Sequence, residues 1–217
     1  MDLIRRALFF RKIKKFLTIS EKGSIIIPIE KVCYIGGIVM ERRKNTEGIR
    51  YLVLTAIFAA MVYVLTAFVK IPTHQGYIHV GDGIIYLAAA LLPMPYAMLT
   101  GAIGAGLSDY LSGYPVWVLP TVIIKVLTVI AFSKNGANII SKRNILAIFP
   151  AAVLCVGGYY ISAVILYGDW GAALTDIPTN CIQVAASTAL FLFLGFSLDR
   201  ISFKKRFLHK EAKNKTA

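Results

Sequence analysis

The feature that most constrains this chain is a series of long apolar runs. A helix needs about 20 apolar residues to cross a hydrocarbon core of roughly 30 Å. Six runs meet or approach this length, at residues 51–69, 80–92, 95–112, 115–132, 145–167 and 177–198. The second run is the shortest, so we expect that helix to be short or tilted. Hydrophobic residues make up 57% of the chain, against roughly 45–50% in soluble domains. The sequence therefore predicts an all-α membrane protein with six transmembrane helices.

The positive charges predict how these helices are oriented. Of the 24 Lys and Arg residues, twelve lie in residues 1–50 and seven in 200–215. The loop at 133–144 carries three more, whereas the alternate connections together carry only Lys70. Because Lys and Arg are enriched in cytoplasmic loops, both termini are predicted to be cytoplasmic. The net charge of +13 thus flanks a membrane domain, and we expect no nucleic acid partner.

The same pattern divides the chain into four segments. Residues 51–199 are predicted to form the six-helix membrane domain, 40–50 a cytoplasmic lead and 200–217 a basic cytoplasmic tail. Residues 1–39 form a poorly defined extension, in which 7–19 has a pattern that is also typical of an amphipathic interfacial helix. The segment from Met40 resembles an ordinary N-terminus. We therefore expect Met40 to be the true start, and a chain beginning there should insert and bind as well as the full chain.

The sequence contains no motif for catalysis, nucleotide binding or metal binding. The glycine-rich stretch GAIGAG at 101–106 lies inside an apolar run with no preceding strand, so it does not indicate a dinucleotide loop. The three cysteines, Cys33, Cys155 and Cys181, lack metal-site spacing. We expect no catalytic residue, no metal and no cofactor.

Small residues at helical spacing predict close contacts between membrane helices. One set lies in the third run: Ala97, Gly101, Gly104, Ala105 and Ser108. A second pair, Ala56 and Ala60, lies in the first run, where internal packing is the simplest interpretation.

Three charged residues interrupt the apolar runs and require an explanation. Asp82 follows Gly81 at a helix start, where an N-capping role is the simplest interpretation. Asp109 lies near the outer end of the third run, either at the solvated interface or facing a cavity. Lys125 lies about ten residues, or roughly 15 Å, into the fourth run. At that depth it is expected to face protein, ligand or a partner subunit, whereas Asp109 is expected to lie higher in the bilayer.

Polar and aromatic residues converge on the outer ends of the predicted helices. Asn180 and Gln183 are three residues apart and share one helical face. Hydrogen bonding between helices is one interpretation of this pair, and a polar small-molecule pocket open to the outside is the other. The first external loop adds four candidates: His74, Gln75, Tyr77 and His79. Three further aromatic residues could stack on a flat ring: Tyr86, Tyr114 and Trp117.

Several of these segments together resemble a known family. They are HVGDGIIYLAAALL, GAIGAGLSDYLSGYPVWVLPTVIIK and PTNCIQ, within about residues 48–200. They are similar to the S components of energy-coupling factor (ECF) vitamin transporters, in the group that includes riboflavin, hydroxymethylpyrimidine and pyridoxine S components. The resemblance implies an ECF S-component-like bundle in the plasma membrane of a bacterium.

The resemblance also implies a function. Such a subunit captures a vitamin or vitamin precursor outside the cell and imports it with a transmembrane T component and two ATPase subunits. Ala56 and Ala60 would then form the docking face. The implied substrate-binding residues are Asn180, Gln183, His79, Tyr86, Asp109 and Trp117.

Two other functions remain open from the residues alone. An intramembrane enzyme would use Asp82, Asp109 and His79 as acid–base groups, although they form no clustered motif. A stand-alone channel or carrier would often show internal repeats with broken helices, and we find no convincing repeat.

Overall fold

The structure is a computed structural model that describes residues 18–19, 25–26, 32–35, 38–41, 45–72 and 77–206. The chain divides into two units, Met1–Ile49 and Arg50–Ala217. The first unit contains two antiparallel hairpins: β1 (Thr18–Ile19) with β2 (Ile25–Ile26), and β3 (Val32–Ile35) with β4 (Ile38–Glu41). The amphipathic segment predicted at 7–19 falls outside the described residues except for its last two positions.

Helices make up most of the described part of the second unit. In chain order the elements are α1 (Asn45–Ala67), β5 (Lys70–Pro72), β6 (Tyr77–His79), α2 (Asp82–Leu91), α3 (Met94–Leu111), a 3-10 turn (Pro115–Trp117), α4 (Val118–Ala131), α5 (Lys142–Tyr167), α6 (Trp170–Leu174) and α7 (Asp176–Arg200). Strands β5 and β6 pair as an antiparallel hairpin. Each of the six predicted runs contains a helix, and the short α6 lies in the connection between the fifth and sixth runs.

Three helical stretches in the described part of the chain are long and apolar enough to cross a bilayer: Gly48–Ala67 in α1, Lys142–Tyr167 (α5) and Trp170–Arg200, which comprises α6 and α7. They expose large apolar side chains over their outer surfaces, and Phe149, Ile165 and Phe193 are each 70–76% exposed. Water would not tolerate so large an apolar surface on a monomer, whereas lipid tails would cover it. These properties are consistent with the predicted all-α membrane protein.

Helix α2 lies in the interior of the second unit. All ten of its residues are buried, and at 1.5 Å per residue it is only about 15 Å long. It packs closely against α7, because a Cβ added at Gly83 would lie 2.6 Å from the carbonyl oxygen of Ser187. The expectation of a short second helix is therefore confirmed. Because α2 is buried, its polar side chains contact protein.

The predicted packing face of α3 is confirmed. All five of its small residues are buried: Ala97, Gly101, Gly104, Ala105 and Ser108. A Cβ at Gly104 would lie 2.7 Å from the carbonyl oxygen of Ala59, so α1 and α3 meet at backbone distance there. On α1, Ala59 is buried, whereas Ala56 and Ala60 are exposed. The internal packing expected for that alanine pair is wrong, since neighbouring positions on α1 make the contact instead.

One end of the helical unit is closed by polar contacts to the backbone. The carboxylate of Asp199, near the end of α7, accepts hydrogen bonds from the N–H groups of Ile139 and Ile140, both at 2.8 Å. Lys204 Nζ donates to the carbonyl of Asn138 at 3.3 Å. These contacts fix the α4–α5 connection beside the C-terminal end of α7. The candidate site lies at the other end of the same helices.

Candidate ligand-binding site

A pocket with a volume of about 70 Å³ opens between the first residues of α7, the start of α4, the end of α3 and strand β6. Every residue that lines it is aromatic or polar: Tyr77, His79, Asp109, Tyr114, Trp117, Thr121, Tyr159, Asp176, Thr179, Asn180 and Gln183. Ligand sites usually combine a mostly apolar wall with a few polar groups. Here aromatic rings supply the apolar surface, and hydrogen-bonding groups lie between them.

A buried ion pair lies next to the pocket residue Gln183. Lys125 Nζ is 2.8 Å from Asp82 Oδ2, and the two side chains are 1% and 2% exposed. Gln183 Nε2 donates to the same Asp82 oxygen at 3.2 Å. Lys125 also lies 5.0 Å from the centre of the Tyr159 ring. Each buried charge thus has an opposite charge and further polar or aromatic contacts, which is what makes burial tolerable.

The N-capping role expected for Asp82 is wrong. Gly81 occupies the cap position of α2, and no side-chain hydrogen bond caps that helix. Asp82 Oδ2 instead meets Lys125, which is 43 positions later in the chain. Lys125 faces protein, which is one of the alternatives left open for it.

Asp109 lines the pocket rather than the lipid interface. The hydroxyl of Tyr77 in β6 donates to Asp109 Oδ1 at 2.5 Å, which ties the β5–β6 hairpin to α3. Burial, followed by the nearby Asp109 carboxylate, raises the pKa of Tyr77, so this hydroxyl remains a donor. The structure therefore favours the cavity-facing interpretation of Asp109.

Four lining residues of α7 form one helical face: Asp176, Thr179, Asn180 and Gln183. Their spacing of three and four residues brings them to the same side. Asn180 Nδ2 donates to the carbonyl oxygen of Asp176 at 2.9 Å. This local bond fixes the Asn180 side chain at the pocket wall.

The aromatic walls consist of two ring pairs. Tyr77 and Tyr114 have centroids 5.4 Å apart, and Trp117 and Tyr159 have centroids 5.9 Å apart. Trp117 Nε1 donates to the Tyr167 hydroxyl at 3.2 Å. Because indole has only that one donor, Trp117 offers a ligand its ring surface and no hydrogen bond.

His79 is a neutral residue of the pocket wall. Its Nδ1 accepts a hydrogen bond from the N–H of Gly81 at 3.2 Å, so the ring proton is on Nε2. Burial lowers the pKa of His79 to about 4, since a buried imidazolium would lose its hydration. His74 and Gln75, the other loop candidates, lie outside the described residues.

Comparison with known proteins identifies the family. The family of the ECF-type riboflavin transporter S component matches residues 47–200, which include every described lining residue of the pocket. The chain belongs to this S-component family. A Pyrococcus woesei protein described as "Uncharacterized protein in gap 3'region" is 30% identical over 145 residues, which cover 65% of this chain and 95% of that protein.

The S component is thus a membrane-embedded transporter component, and its family is not a family of enzymes. Among the described residues, no group of three or more His, Cys, Asp or Glu side chains is arranged to hold a metal ion.

The structure brings five of the six predicted binding residues of the S component to one pocket: His79, Asp109, Trp117, Asn180 and Gln183. It does not bring Tyr86 there. Tyr86 is 1% exposed and stacks on Phe132 in the core, with ring centroids 4.8 Å apart. It lies one turn along α2 from Asp82, inside the bundle, so it belongs to the core.

Sequence reasoning missed four lining residues: Thr121, Tyr159, Asp176 and Thr179. A signal existed for Thr121, because it lies four residues from both Trp117 and Lys125, and this spacing predicts one shared helical face. The same spacing relates Asp176 to Asn180. Tyr159 gave no comparable signal, since α5 also contains Tyr160 and Tyr167.

Proposed function

We propose that this S component captures a vitamin or vitamin precursor at the outer face of the cell membrane. A T component and two ATPase subunits then drive its import. The observation that carries the proposal is the pocket itself, which joins aromatic rings and hydrogen-bonding groups at the end of the bundle away from the basic loop at 133–144. By the distribution of Lys and Arg, that end faces outward, the six helices span the membrane and both termini are cytoplasmic.

The proposed ligand contacts are Asn180, Gln183, His79, Asp109 and Trp117, all of which line the pocket. Trp117 and Tyr159 would stack on a flat ring, and the amides and Asp109 would fix its edge by hydrogen bonds. Tyr86 is removed from the set, because its ring is enclosed by Phe132 and Phe191.

Binding is favoured over intramembrane catalysis by the surroundings of the three proposed acid–base groups. Asp82 is paired with Lys125, and Asp109 accepts a hydrogen bond from Tyr77. The neutral His79 has its Nδ1 engaged by the Gly81 N–H. None of these side chains is paired with another of the three by a hydrogen bond, as a proton relay would require.

The proposed docking face for the T component is the exposed pair Ala56 and Ala60 on α1. Small side chains let another membrane helix approach closely. Their outward position leaves this surface available, since the internal contact of α1 is made at Ala59.

The test of the proposed function is equilibrium binding to the full-length protein in lipid nanodiscs. The panel is riboflavin, 4-amino-5-hydroxymethyl-2-methylpyrimidine, pyridoxine and thiamine, with Trp fluorescence or calorimetry as the readout. We expect at least one compound to bind, and Asn180→Ala to weaken it about five- to 150-fold, because one lost hydrogen bond at a buried edge costs roughly 1–3 kcal/mol.

Asn138→Ala is the matched control, because Asn138 is an exposed amide in the α4–α5 connection. Its affinity should equal that of the parent. If no compound binds, or if Asn180→Ala and Asn138→Ala bind equally tightly, the pocket is not the capture site.

A further inference from the structure

The orientation of Gln183 determines which of its atoms can meet a ligand. Its Nε2 donates to Asp82 Oδ2 at 3.2 Å and lies 3.9 Å from Cys155 Sγ. A carboxylate accepts hydrogen bonds and cannot donate them, so the amide nitrogen must face Asp82. The side of Gln183 that remains for the pocket is its carbonyl oxygen, which is an acceptor.

Asn180 is oriented in the same sense. Its Nδ2 donates to the backbone carbonyl of Asp176 at 2.9 Å, and that carbonyl can only accept. The Asn180 oxygen therefore lies on the opposite side of the amide from this turn. From the sequence alone, both amides could donate or accept hydrogen bonds. In the structure the nitrogen of each amide is bonded within the protein, so its oxygen is the atom available to a ligand.

Two carboxyl groups add to this set of acceptors. Asp109 and Asp176 both line the pocket. Lys125 does not balance them, because its ammonium group is 2.8 Å from Asp82 and is not part of the lining. Lys70 is also outside the lining, where it donates to Ser112 Oγ at 3.0 Å and lies over the Tyr77 ring.

The donors in the lining are fewer and partly used. The Trp117 N–H is bonded to Tyr167, and the Tyr77 hydroxyl is bonded to Asp109. The hydroxyls of Thr121 and Tyr159 bond to each other at 3.1 Å. Donors that remain in the described lining include the Nε2–H of His79 and the hydroxyl of Tyr114. Against them stand the oxygens of two amides and two carboxyl groups, so the pocket presents more acceptors than donors between its aromatic rings.

We infer that the ligand is a flat heteroaromatic ring whose edge donates hydrogen bonds, namely a ring with an exocyclic amino group beside a protonatable ring nitrogen, as in an aminopyrimidine. The inference rests on the proposed function and specifies its substrate class. When protonated, such an edge presents two parallel N–H groups, which match one carboxylate. The positive charge would also favour stacking against Trp117 and Tyr159.

A ring with oxo groups on its edge fits this pocket less well. Such an edge keeps one ring N–H, but the carbonyl oxygens beside it would face the oxygens of Gln183, Asn180 and Asp109. Each unpaired buried acceptor costs about 1–3 kcal/mol. The pocket should therefore discriminate between amino and oxo forms of one ring by roughly ten-fold or more.

The first arm of the test compares 4-amino-5-hydroxymethyl-2-methylpyrimidine with its 4-oxo analogue, and both with riboflavin, on the full-length protein in nanodiscs. We expect the amino compound to bind at least ten-fold more tightly than the oxo analogue and more tightly than riboflavin. If riboflavin, pyridoxine or the oxo analogue binds more tightly, the inferred substrate class is wrong while the proposed capture of a vitamin stands. If none of the panel binds, both fail.

The second arm separates an acceptor role of Asn180 from a donor role. Asn180→Asp keeps an acceptor at the same position and removes the donor, whereas Asn180→Leu removes both. With the amino compound, Asn180→Asp should bind within about three-fold of the parent or more tightly, and Asn180→Leu at least about five-fold more weakly. Equal loss in both variants would overturn the inference, because the acceptor that Asn180→Asp retains would then contribute nothing to binding. Gel-filtration profile and melting temperature identify any variant that is not folded.

Discussion

Lys125 and Asp82 show how a membrane protein keeps two charges in its interior. Their 2.8 Å contact joins α4 to the start of α2, and both side chains are at least 98% buried. Removal of one partner leaves the other as an uncompensated buried charge, which costs roughly 3–5 kcal/mol. Removal of both costs much less, because no unpaired charge remains.

We therefore predict that Lys125→Met lowers the free energy of unfolding by about 3–5 kcal/mol. The double variant Lys125→Met with Asp82→Asn should recover at least half of that loss. Urea or thermal unfolding in detergent measures the four members of this double-mutant cycle. A single variant that unfolds like the parent, or a double variant as unstable as the sum of the singles, would contradict the energetic coupling of the pair.

This ion pair also shows what could not be predicted from the sequence at the level of single residues. The sequence predicts that Lys125 faces protein, ligand or a partner subunit, because lipid would be costly. It does not predict the partner, since Asp82 is 43 residues away and its position at a helix start has a simpler local explanation. Only the way α2 crosses α4 brings the two side chains together. The orientation of Asn180 and Gln183 was likewise invisible, because it depends on the acceptors beside them.

At the level of helices, α1 has two surfaces with different roles. Val62 and Ala59 pack on Gly104 of α3, whereas Ala56 and Ala60 are exposed. Spacing alone did not distinguish these surfaces, because Ala56, Ala59 and Ala60 are all small. The sequence predicted the positions of the helices in the chain, because the lengths of the apolar runs indicate them. The buried side of α1 could not be predicted in this way, because it depends on which residues of α3 pack against it.

This difference predicts opposite effects of two bulky substitutions. Ala56→Trp with Ala60→Trp should abolish transport by the assembled ECF complex and leave ligand affinity within about three-fold, because the change lies on an outer surface. Gly104→Val should instead lower the melting temperature, since its Cβ would lie 2.7 Å from the Ala59 carbonyl oxygen and overpacking costs about 1–3 kcal/mol.

Vitamin uptake in reconstituted liposomes, ligand titration and thermal unfolding give the three readouts for both variants. Equal loss of affinity and transport in the Ala56/Ala60 variant would contradict a role confined to docking. An unchanged melting temperature for Gly104→Val would mean that α1 and α3 can separate without cost.

On the scale of the whole helical unit, the two ends differ in chemistry. The pocket end gathers Asp109, Asp176 and the aromatic pairs, and its connections carry little positive charge. The other end holds the α4–α5 connection against the end of α7 through Asp199 and Lys204. The positions of Lys and Arg in the sequence predicted that the two ends would differ in positive charge. It did not predict that Asp199, an acidic residue in the basic end, would fix the connection by accepting two backbone N–H groups.

The difference between the ends predicts the topology. Since Lys204 Nζ donates to the carbonyl of Asn138, the α4–α5 connection and the residues after α7 must lie on the same side of the membrane. We predict that this side is cytoplasmic, because Lys and Arg are enriched in cytoplasmic loops. Reporter domains inserted at Gly113 and Gly171, in the turn after α3 and in α6, should therefore be active outside the cell. A reporter at Asn138 should be active inside.

Because Gly113 and Gly171 belong to the pocket end, an internal location for either would place the pocket on the cytoplasmic side. That result would exclude capture from outside, even if ligand binding by the purified protein were intact.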